Sequence, residues 1–351
     1  MNEFEKIHDF NNLYRAFKQA RKGKRYKHTA NKFEANVLEA LLLLSRQIKS
    51  MTYTLSPYNT FMVYEPKTRL VMSNSYKDKV VQHALCDNVL EPAFIRSFIK
   101  DNYASQTGKG THYGLDRLAG FMRSFYRSHG VDGWALKCDI TKYFYTIRHD
   151  LLKSLIRKQV NDPGVLWLVD MIIDSTDDGV GIPIGNQSSQ LFALLYLNGM
   201  DHHIKEKQGI KYYGRYMDDF YLIHKERDYI NRCKNEIQAH VESLGLTLND
   251  KTCISPLKNG IDFLGFHTYL TDTGKVIRKI RRKSKNNARR RMKKMKALVD
   301  NDELLEETAV ASYQAWKGHA AHGNCYNLIR GMDQLYNTLY EKGDKNYAKS
   351  T

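Results

Sequence analysis

The chain has 351 residues, of which 55 are Lys or Arg and 38 are Asp or Glu, so its formal net charge is +17. Its 42% of hydrophobic residues are enough for a sizeable core, which excludes a predominantly disordered chain. The most apolar run, residues 37–44, is much shorter than the roughly 20 residues that cross a bilayer.

The five cysteines form no CxxC pair, so we expect neither a disulfide framework nor a zinc ribbon. His319, His322 and Cys325 have an HxxHxxC spacing, but no fourth ligand accompanies them, so we interpret this segment as packing. Residues 1–12 carry acids instead of the basic and then apolar start of a signal peptide. We therefore expect a cytoplasmic protein.

Hydrophobic periodicity predicts mainly helices, with one hairpin, in the first part of the chain. Residues 3–50 have helical periodicity, and residues 58–72 alternate as in a β-hairpin whose turn contains residues 65–67. Residues 77–90 predict an amphipathic helix, and residues 101–115 predict a Gly-rich polar loop.

The middle of the chain mixes strands with helices. Residues 134–140 are typical of a strand, and residues 189–204 predict a long apolar helix. Two short apolar runs, residues 211–216 and 220–224, flank residues 217–219 and predict a second hairpin. The later elements are a predicted helix over residues 228–244 and a strand over residues 260–269. The pattern indicates an α+β protein.

The excess positive charge is concentrated in residues 275–296, which contain 13 Lys or Arg and no acid. Met292, Met295, Leu298 and Val299 recur at helical spacing, so this run predicts a docked helix. Such a field favours RNA or DNA as partner. The alternatives are a disordered tail, a patch that only aids solubility, or an anionic membrane surface. We expect nucleic-acid contacts from Lys279, Arg281, Arg282, Lys283, Arg289, Arg290, Arg291 and Lys293.

Three acids occupy positions that predict a shared site. Asp139 ends an apolar strand, and Asp218 with Asp219 lies at the tip of the second predicted hairpin. Carboxylates at strand ends can converge, and Mg²⁺ prefers carboxylate and phosphate oxygens as ligands. Two such ions can activate a hydroxyl and neutralise a leaving pyrophosphate. The alternative is that each Asp only forms a turn or caps a helix.

Six sequence blocks between residues 58 and 270 resemble, in content and order, the motifs of reverse transcriptases. The resemblance implies an RNA-directed DNA polymerase with a right-hand fold: fingers, a palm with a small antiparallel sheet flanked by helices, and a helical thumb. The blocks are residues 64–90, LKCDITKYFYTI (136–147), GIPIGNQSSQLF (181–192), YMDD (216–219), LNDKTC (248–253) and DFLGF (262–266).

The resemblance also implies a domain organisation. We expect an N-terminal helical extension, then fingers and palm that interleave along the chain, and a basic thumb at the end. The expected ranges are 1–55 for the extension, 56–135 and 150–185 for the fingers, 136–149 and 186–269 for the palm, and 270–351 for the thumb.

Catalytic roles follow from the resemblance residue by residue. Asp139, Asp218 and the Ile140 carbonyl would ligate two Mg²⁺ ions, for which Mn²⁺ could substitute, and Asp219 would be a weaker ligand. Lys251 would lie near the departing pyrophosphate and donate a proton; the alternative is an ordinary surface lysine.

The resemblance implies a deoxynucleotide site as well. Lys67 and Arg69 would hold the triphosphate, and Arg69 could instead stack on the base. Phe144 would lie against C2′ of the sugar and exclude a 2′-hydroxyl, although it could equally pack in the core. The remaining expected contacts with the nucleotide are Ile184, Gly185 and Gln190.

One departure narrows the resemblance. Ile184 stands where most reverse transcriptases carry Gln, and Ser189-Gln190 stands where they carry Ser-Pro. This form resembles reverse transcriptases of diversity-generating retroelements, which implies error-prone copying of a structured template RNA together with a small basic accessory protein. Ile has no donor to align a base pair, which is consistent with low fidelity, although Ile184 could also be a neutral apolar filler. The alternatives are an anti-phage defence or retron-type reverse transcriptase that uses a noncoding RNA, and a catalytically idle RNA-binding scaffold.

Overall fold

The computed structural model describes residues 1–64, 68–176 and 179–340, which form two compact units. The first unit comprises Met1–Gly110, Cys138–Tyr221 and Asn231–Cys253. The second unit comprises Thr111–Lys137, Leu222–Ile230 and the described residues from Ile254 onward. No helix within the described ranges is both long enough and apolar enough to span a bilayer.

The first unit begins with four helices, which confirms the helical prediction for residues 3–50. Asn2 accepts a hydrogen bond from the Glu5 amide while the Glu5 side chain accepts one from the Asn2 amide, so a capping box starts the first helix. Asp9 caps the second helix by accepting from the Asn12 amide. The helices are α1 (Glu3–His8), α2 (Phe10–Arg21), α3 (His28–Ala35) and α4 (Val37–Lys49).

The predicted hairpin is confirmed. β1 (Asn59–Val63) pairs antiparallel with β2 (Arg69–Ser73), and the predicted turn at residues 65–67 lies outside the described residues. The predicted helix over residues 77–90 is α5 (Tyr76–Leu85), which continues into a π-helical turn, Cys86–Leu90. Two further helices follow, α6 (Glu91–Ile95) and α7 (Thr111–His129), so the Gly-rich loop ends at residue 110, five residues earlier than predicted.

A four-stranded sheet contains the predicted strand at residues 134–140 and the second predicted hairpin. The hydrogen-bonded order of its strands is β4-β5-β3-β6, so β3 lies between strands that come later in the chain. The strands are β3 (Trp134–Cys138), β4 (Tyr212–Tyr216), β5 (Asp219–His224) and β6 (Cys253–Pro256). The helices are α8 (Tyr143–Thr146), α9 (His149–Arg157), α10 (Pro163–Ile173), α11 (Gln187–Tyr196), α12 (Asn198–His202) and α13 (Arg227–Ser243).

The prediction of one continuous helix over residues 189–204 was wrong. α11 ends at Tyr196, α12 follows after Leu197, and a π-helical turn, His203–Lys207, completes the segment. The Leu194 carbonyl accepts a hydrogen bond at 3.1 Å from the buried Arg215 guanidinium. The break is therefore a consequence of a side chain that inserts at the last turn of α11.

The end of the chain differs from the prediction in two places. The expected single strand over residues 260–269 is a hairpin that turns at Leu264 and Gly265, both with positive φ. The basic run begins as a strand, and only its second part is a helix. The elements are β7 (Ile261–Phe263), β8 (Phe266–Leu270), β9 (Val276–Ile280), α14 (Arg282–Asp300), α15 (Glu306–Ala321) and α16 (Tyr326–Tyr340), and the sheet order is β7-β8-β9.

The prediction that the basic helix is docked is confirmed. Met292 is buried in a cluster with Tyr313 and Met332, so α14, α15 and α16 pack together through one apolar face. Tyr313 also stacks on Tyr336 with ring centroids 4.8 Å apart. His322 stacks on His112 at 3.5 Å, so the HxxHxxC segment contributes ring packing in the second unit.

Candidate active site

The structure brings two of the predicted catalytic acids to neighbouring strand ends. Asp139 directly follows β3, Asp218 directly precedes β5, and these strands are adjacent in the sheet. Burial raises the pKa of Tyr143 on α8, and the negative charge of Asp218 contributes to that rise. Because Coulomb interactions weaken with distance, Asp218 lies close to the helix that begins four residues after Asp139. Both carboxylates are half-exposed and can therefore meet a ligand.

A buried ion pair supports the turn that carries Asp218. Met217 adopts a left-handed conformation with φ of +56°, which is costly for a residue with a side chain. The fully buried Arg215 donates to the Met217 carbonyl at 2.9 Å and to Asp201 Oδ1 at 2.7 Å. Tyr213 also donates to Asp201. The Arg215 guanidinium therefore holds the turn at Met217, and Asp201 fixes the position of that guanidinium.

The electrostatics of this pair favour its charged form. Burial acts to lower the pKa of Arg215, but the charge and hydrogen bonds of Asp201 outweigh burial and keep that pKa above its ordinary value. Burial, followed by the charge of Asp201, raises the pKa of the Tyr213 phenol well above its usual range. Neither Arg215 nor Asp201 is among the residues predicted from the sequence. Their only signals are an Arg inside a buried strand and an Asp shortly after the apolar run of α11.

The segment that contains Lys251 runs beside Asp139. The Asn249 amide donates to the Asp139 carbonyl at 2.7 Å, and the Thr141 amide donates to the Thr247 carbonyl at 2.9 Å. These two hydrogen bonds lie on either side of the antiparallel residue pair Ile140 and Leu248. The carbonyl of Ile140 therefore accepts neither of these two hydrogen bonds.

Lys251 is tied to this segment through its backbone. Its amide donates to the Asn249 side chain at 3.0 Å, while its ammonium side chain is exposed. The Asn249 amide bonds the Asp139 carbonyl, and Lys251 follows Asn249 by two residues. The backbone of Lys251 is therefore held close to that of Asp139.

Phe144 is joined to the segment that precedes α11. Its carbonyl accepts from the Ile182 amide at 2.9 Å, and its half-buried ring meets Tyr143 edge to face with centroids 5.8 Å apart. Tyr143 in turn donates to the Ala193 carbonyl at 2.5 Å. The ring of Phe144 is therefore positioned by both neighbours and keeps an accessible face.

Ile184 and Gly185 lie against the β-hairpin. The Met72 amide on β2 donates to the Ile184 carbonyl at 2.9 Å. Gly185 has a φ of +130°, and a Cβ at this position would come within 2.8 Å of the Met72 carbonyl oxygen. Only glycine adopts this φ without strain and also leaves room for the Met72 carbonyl. Arg69 begins the same strand β2 and is exposed, whereas Lys67 lies outside the described residues.

Gln190 is exposed on α11 and accepts a hydrogen bond from the Ser105 hydroxyl at 2.5 Å. The Gly-rich loop therefore holds this side chain from outside the helix. Ser189, the residue before Gln190 in the block of residues 181–192, is buried.

The oxygen donors of this site suit a hard divalent ion. Two half-exposed carboxylates, on Asp139 and Asp218, and the Ile140 carbonyl form the kind of set that Mg²⁺ accepts when phosphate oxygens complete its shell. Asp219 begins β5 and is half-buried. Within residues 1–64, 68–176 and 179–340, no three His, Cys, Asp or Glu side chains are close enough together to hold a metal by themselves.

In the second unit, the cations that we predicted to contact nucleic acid are exposed. Arg281 pairs with Asp262 at 3.0 Å, and Lys279 lies 5.8 Å from the Tyr269 ring centroid. The exposed residues are Lys279, Arg281, Arg282, Lys283, Arg289, Arg290, Arg291 and Lys293. A surface of this kind is suited to phosphate contacts.

The mixed helix and sheet architecture is that of a nucleic-acid polymerase of the right-hand class. Residues 64–268 match the family described as reverse transcriptase (RNA-dependent DNA polymerase). This match covers more than half of the chain, and the chain belongs to that family. Its members are RNA-directed DNA polymerases, hence nucleotidyltransferases, and generally use divalent metals. The predicted fold class is confirmed.

The chain is also similar to individual proteins. It is 24% identical over 278 residues to Protein YkfC of Escherichia coli (strain K12), which covers 66% of this chain and 72% of the relative. Apo telomerase from Candida tropicalis is 14% identical with a TM-score of 0.49, over 67% of this chain and 52% of the telomerase chain. Telomerase from Candida albicans in complex with a fragment of telomeric RNA is 13% identical with a TM-score of 0.48, over 88% and 64%. The chain thus spans between about half and two thirds of these solved chains.

Proposed function

We propose that this protein copies an RNA template into DNA, with Asp139 and Asp218 as the catalytic carboxylates. The single observation that supports this most is their placement at the ends of adjacent strands, beside a segment bonded to Asp139 that carries Lys251. Within a reverse transcriptase family, this arrangement suits nucleotidyl transfer from a deoxynucleotide to a primer 3′ end.

Each residue of the site has a task in that reaction. Asp139, Asp218 and the Ile140 carbonyl would hold two divalent ions, with Asp219 as a weaker ligand. When bound, such ions supply charge neutralisation for the attacking hydroxyl and the leaving pyrophosphate. Lys251 would give its proton to the pyrophosphate, because its exposed ammonium is free to approach from the segment beside Asp139.

The nucleotide site is proposed from the residues around α8 and β2. Phe144 would lie against the sugar and exclude a 2′-hydroxyl through the shape of its ring. Arg69, together with Lys67, would neutralise the triphosphate. Gly185 would let the backbone of its motif approach β2 closely, and Gln190 would contact the nucleotide from α11.

Primer extension with an RNA template, a DNA primer, deoxynucleotides and Mg²⁺ tests the proposal. We expect the parent to extend the primer and Asp218→Ala to lose activity by about a thousandfold or more, since a displaced metal removes most of the transition-state stabilisation. Asp228→Ala, which removes one exposed acid from the start of α13, is the matched control and should retain activity. Extension that survives Asp218→Ala would remove the metal assignment, and an inactive parent would favour an idle RNA-binding scaffold.

Sugar selection gives a second test of the site. Phe144→Ala should raise incorporation of ribonucleotides relative to deoxynucleotides by roughly tenfold or more, because space opens beside C2′. Phe144→Tyr keeps the ring and should keep the preference. An unchanged ratio in Phe144→Ala would leave this side chain with packing against Tyr143 as its role.

The finer role we propose is error-prone cDNA synthesis in a diversity-generating retroelement, with a structured template RNA and a small basic accessory protein. The support is the sequence at Ile184 and Ser189-Gln190, because Ile cannot donate a hydrogen bond to align a base pair. Ile184→Gln should reduce misincorporation opposite template adenine, as measured by sequencing the cDNA. An unchanged error spectrum would make Ile184 a neutral filler. Sequencing of RNA that co-purifies with the protein separates this role from a retron-type or anti-phage role.

A further inference from the structure

The amino-terminal helices carry a second concentration of positive charge, which the catalytic roles above do not use. Residues 15–32 contain eight Lys or Arg and no Asp or Glu. They extend from the middle of α2 through the turn after it and into α3. We call one group of these residues and Tyr26 the amino-terminal basic surface: Lys18, Arg21, Lys22, Lys24, Arg25, Tyr26 and Lys27.

The turn between α2 and α3 has an ordered backbone. Gly23 takes the left-handed conformation, with φ of +69°, that ends α2. The Lys24 amide donates to the Arg21 carbonyl at 2.9 Å, and the Lys27 amide donates to the Lys24 carbonyl at 3.0 Å. Two successive hydrogen-bonded turns therefore present the cations at fixed backbone positions, while residues 22–29 are exposed.

Little negative charge compensates these cations. Arg21 pairs with Glu34, but in the described part of the chain Lys22, Lys24 and Arg25 form no ion pair. Burial, followed by the charges of Lys24 and Lys27, lowers the pKa of Lys79 on α5, so the positive field reaches a third helix. The dipole of α2 favours cations at its last turn, but this effect fades beyond the helix end and does not account for Lys24 or Lys27.

Part of this surface lines an open cavity. Its volume is about 450 Å³, and four of its lining residues are cations while none is an acid. The lining consists of Lys18, Gln19, Arg21, Lys22, Gly23 and Arg25. A polar concavity with this charge fits phosphodiester groups, which guanidinium and ammonium groups bind through charge-assisted hydrogen bonds.

An aromatic ring among these cations indicates which polyanion fits. Tyr26 is 79% exposed in the middle of the basic turn. Proteins that bind single strands combine a basic groove with exposed aromatic rings on which unpaired bases stack. Residues 22–29 contain no aliphatic side chain that would enter a bilayer interface, so nucleic acid is favoured over an anionic membrane.

We infer that the amino-terminal basic surface binds a single-stranded segment of RNA, with phosphates on Lys22, Lys24 and Arg25 and a base stacked on Tyr26. The assignment of RNA as the strand rests on the proposed function, since a reverse transcriptase has RNA as its template. None of these residues belongs to the proposed carboxylate site, so we assign this surface to the anchoring of RNA and not to nucleotidyl transfer.

The test is binding of a fluorescein-labelled oligouridine of about 20 nucleotides to the full-length protein, without deoxynucleotides or Mg²⁺. The variant Lys22→Ala/Lys24→Ala/Arg25→Ala should weaken binding about tenfold and lower the slope of log Kd against log salt by about 2, from three phosphate contacts at roughly 0.7 each. Tyr26→Ala should weaken binding at least about fivefold, and Tyr26→Phe should bind like the parent, because stacking needs only the ring.

A matched variant removes the same charge elsewhere in the first unit. Lys49→Ala/Lys158→Ala/Lys207→Ala replaces three exposed lysines outside the surface and should bind like the parent. Equal losses in the two triple variants would overturn the inference, because net charge alone would then explain the effect. A basic-surface variant that keeps RNA affinity but loses binding to phosphatidylserine vesicles would also overturn it in favour of a membrane.

Primer extension on a short template separates this inference from the proposed function. The basic-surface triple variant should extend the primer like the parent, since the residues it alters lie outside the carboxylate site. If the parent binds oligouridine through this surface but extends no primer, the polymerase proposal fails while the RNA site stands. If the parent extends the primer and the variant binds oligouridine normally, the RNA site fails while the polymerase proposal stands.

Discussion

Arg215, the cation that supports the turn at Met217, and the cations on α14 have opposite environments. Arg215 is fully buried, pairs with Asp201 and donates to the Met217 carbonyl. Lys283 and Arg289, in contrast, are exposed. A buried cation must be balanced inside the protein, so it fixes structure, whereas an exposed cation keeps its charge available for an external polyanion. We therefore expect buried cations to control the stability of the protein and exposed cations to control its affinity for nucleic acid.

The largest expected effect comes from Asp201→Ala. This substitution leaves the Arg215 guanidinium buried without its carboxylate, so we expect the free energy of unfolding to fall by about 3 to 5 kcal/mol. Urea unfolding followed by circular dichroism measures the change. A loss below about 1 kcal/mol, the range of surface pairs, would break the comparison, because the pair would then behave like an exposed one.

A double variant separates stability from positioning. Asp201→Leu/Arg215→Met replaces both charges by apolar groups of similar size, which is often close to neutral for stability. We expect the free energy of unfolding to fall by less than in Asp201→Ala, because no buried charge is left unpaired, although the Tyr213 hydroxyl and the Leu194 and Met217 carbonyls lose their partners. Primer extension should fall by a factor of about ten or more, because the strained turn at Asp218 loosens. Full activity in a stable double variant would show that the ion pair does not position the turn.

Removal of exposed cations should leave stability almost unchanged and weaken binding to nucleic acid. Lys283→Ala/Arg289→Ala/Lys293→Ala should change the free energy of unfolding by no more than about 0.5 kcal/mol. Binding to an RNA–DNA duplex should weaken, and the slope of log Kd against log salt should fall by about 2 to 3, from three phosphate contacts. Fluorescence anisotropy at several salt concentrations measures both quantities.

The control for that experiment is Arg123→Ala/Arg127→Ala/Lys258→Ala, which removes three exposed cations of the same unit outside the basic run. It should preserve duplex affinity and the salt slope. If it weakens binding as much as the first variant, the charge on α14 has no special role.

The histidines that pack against one another in the second unit should give the smallest effect. Burial, followed by neighbouring positive or titrating groups, lowers the pKa of His112 and of His319. A lowered pKa means that the folded state resists protonation, so stability is retained above the ordinary histidine pKa of about 6.5 and declines as pH falls below it. For His112 the partners are His322 and Arg278, which lower the pKa, and Asp116, which raises it.

Thermal unfolding at several pH values checks this prediction. The parent should lose stability between neutral pH and pH 5, a window that brackets the ordinary histidine pKa of about 6.5, and His112→Gln should lose less because one titrating ring is gone. An identical pH dependence in the two proteins would mean that His112 titrates alike in the folded and unfolded states.

The sequence predicted the elements whose signals are local. Asp139 and Asp218 were expected at strand ends because apolar runs of strand length stop at these residues, and the family resemblance gave their roles. The break between α11 and α12 was missed because its cause, Arg215, lies outside the helix and is brought there only by the fold. The hairpin at Leu264 and Gly265 was read as one strand because apolar residues continue on both sides of its turn.

The pairing of Arg215 with Asp201 was also invisible to sequence analysis. One residue lies on β4 and the other on α12, and neither helical nor strand periodicity relates two different elements. Isolated Asp and Arg residues are rarely fully buried, so charge alone does not indicate a buried position for either residue. Only three-dimensional contacts reveal that the two residues satisfy each other.

The central claim is that Asp139 and Asp218 act together on the same ions, and single-turnover primer extension with Asp139→Asn, Asp218→Asn and the double variant tests it most directly. Groups that work as one unit are non-additive, so each single variant should lose at least about a thousandfold and the double should be about as slow as the slower single. Losses that multiply in the double variant, or a single variant within about tenfold of the parent, would contradict the shared site.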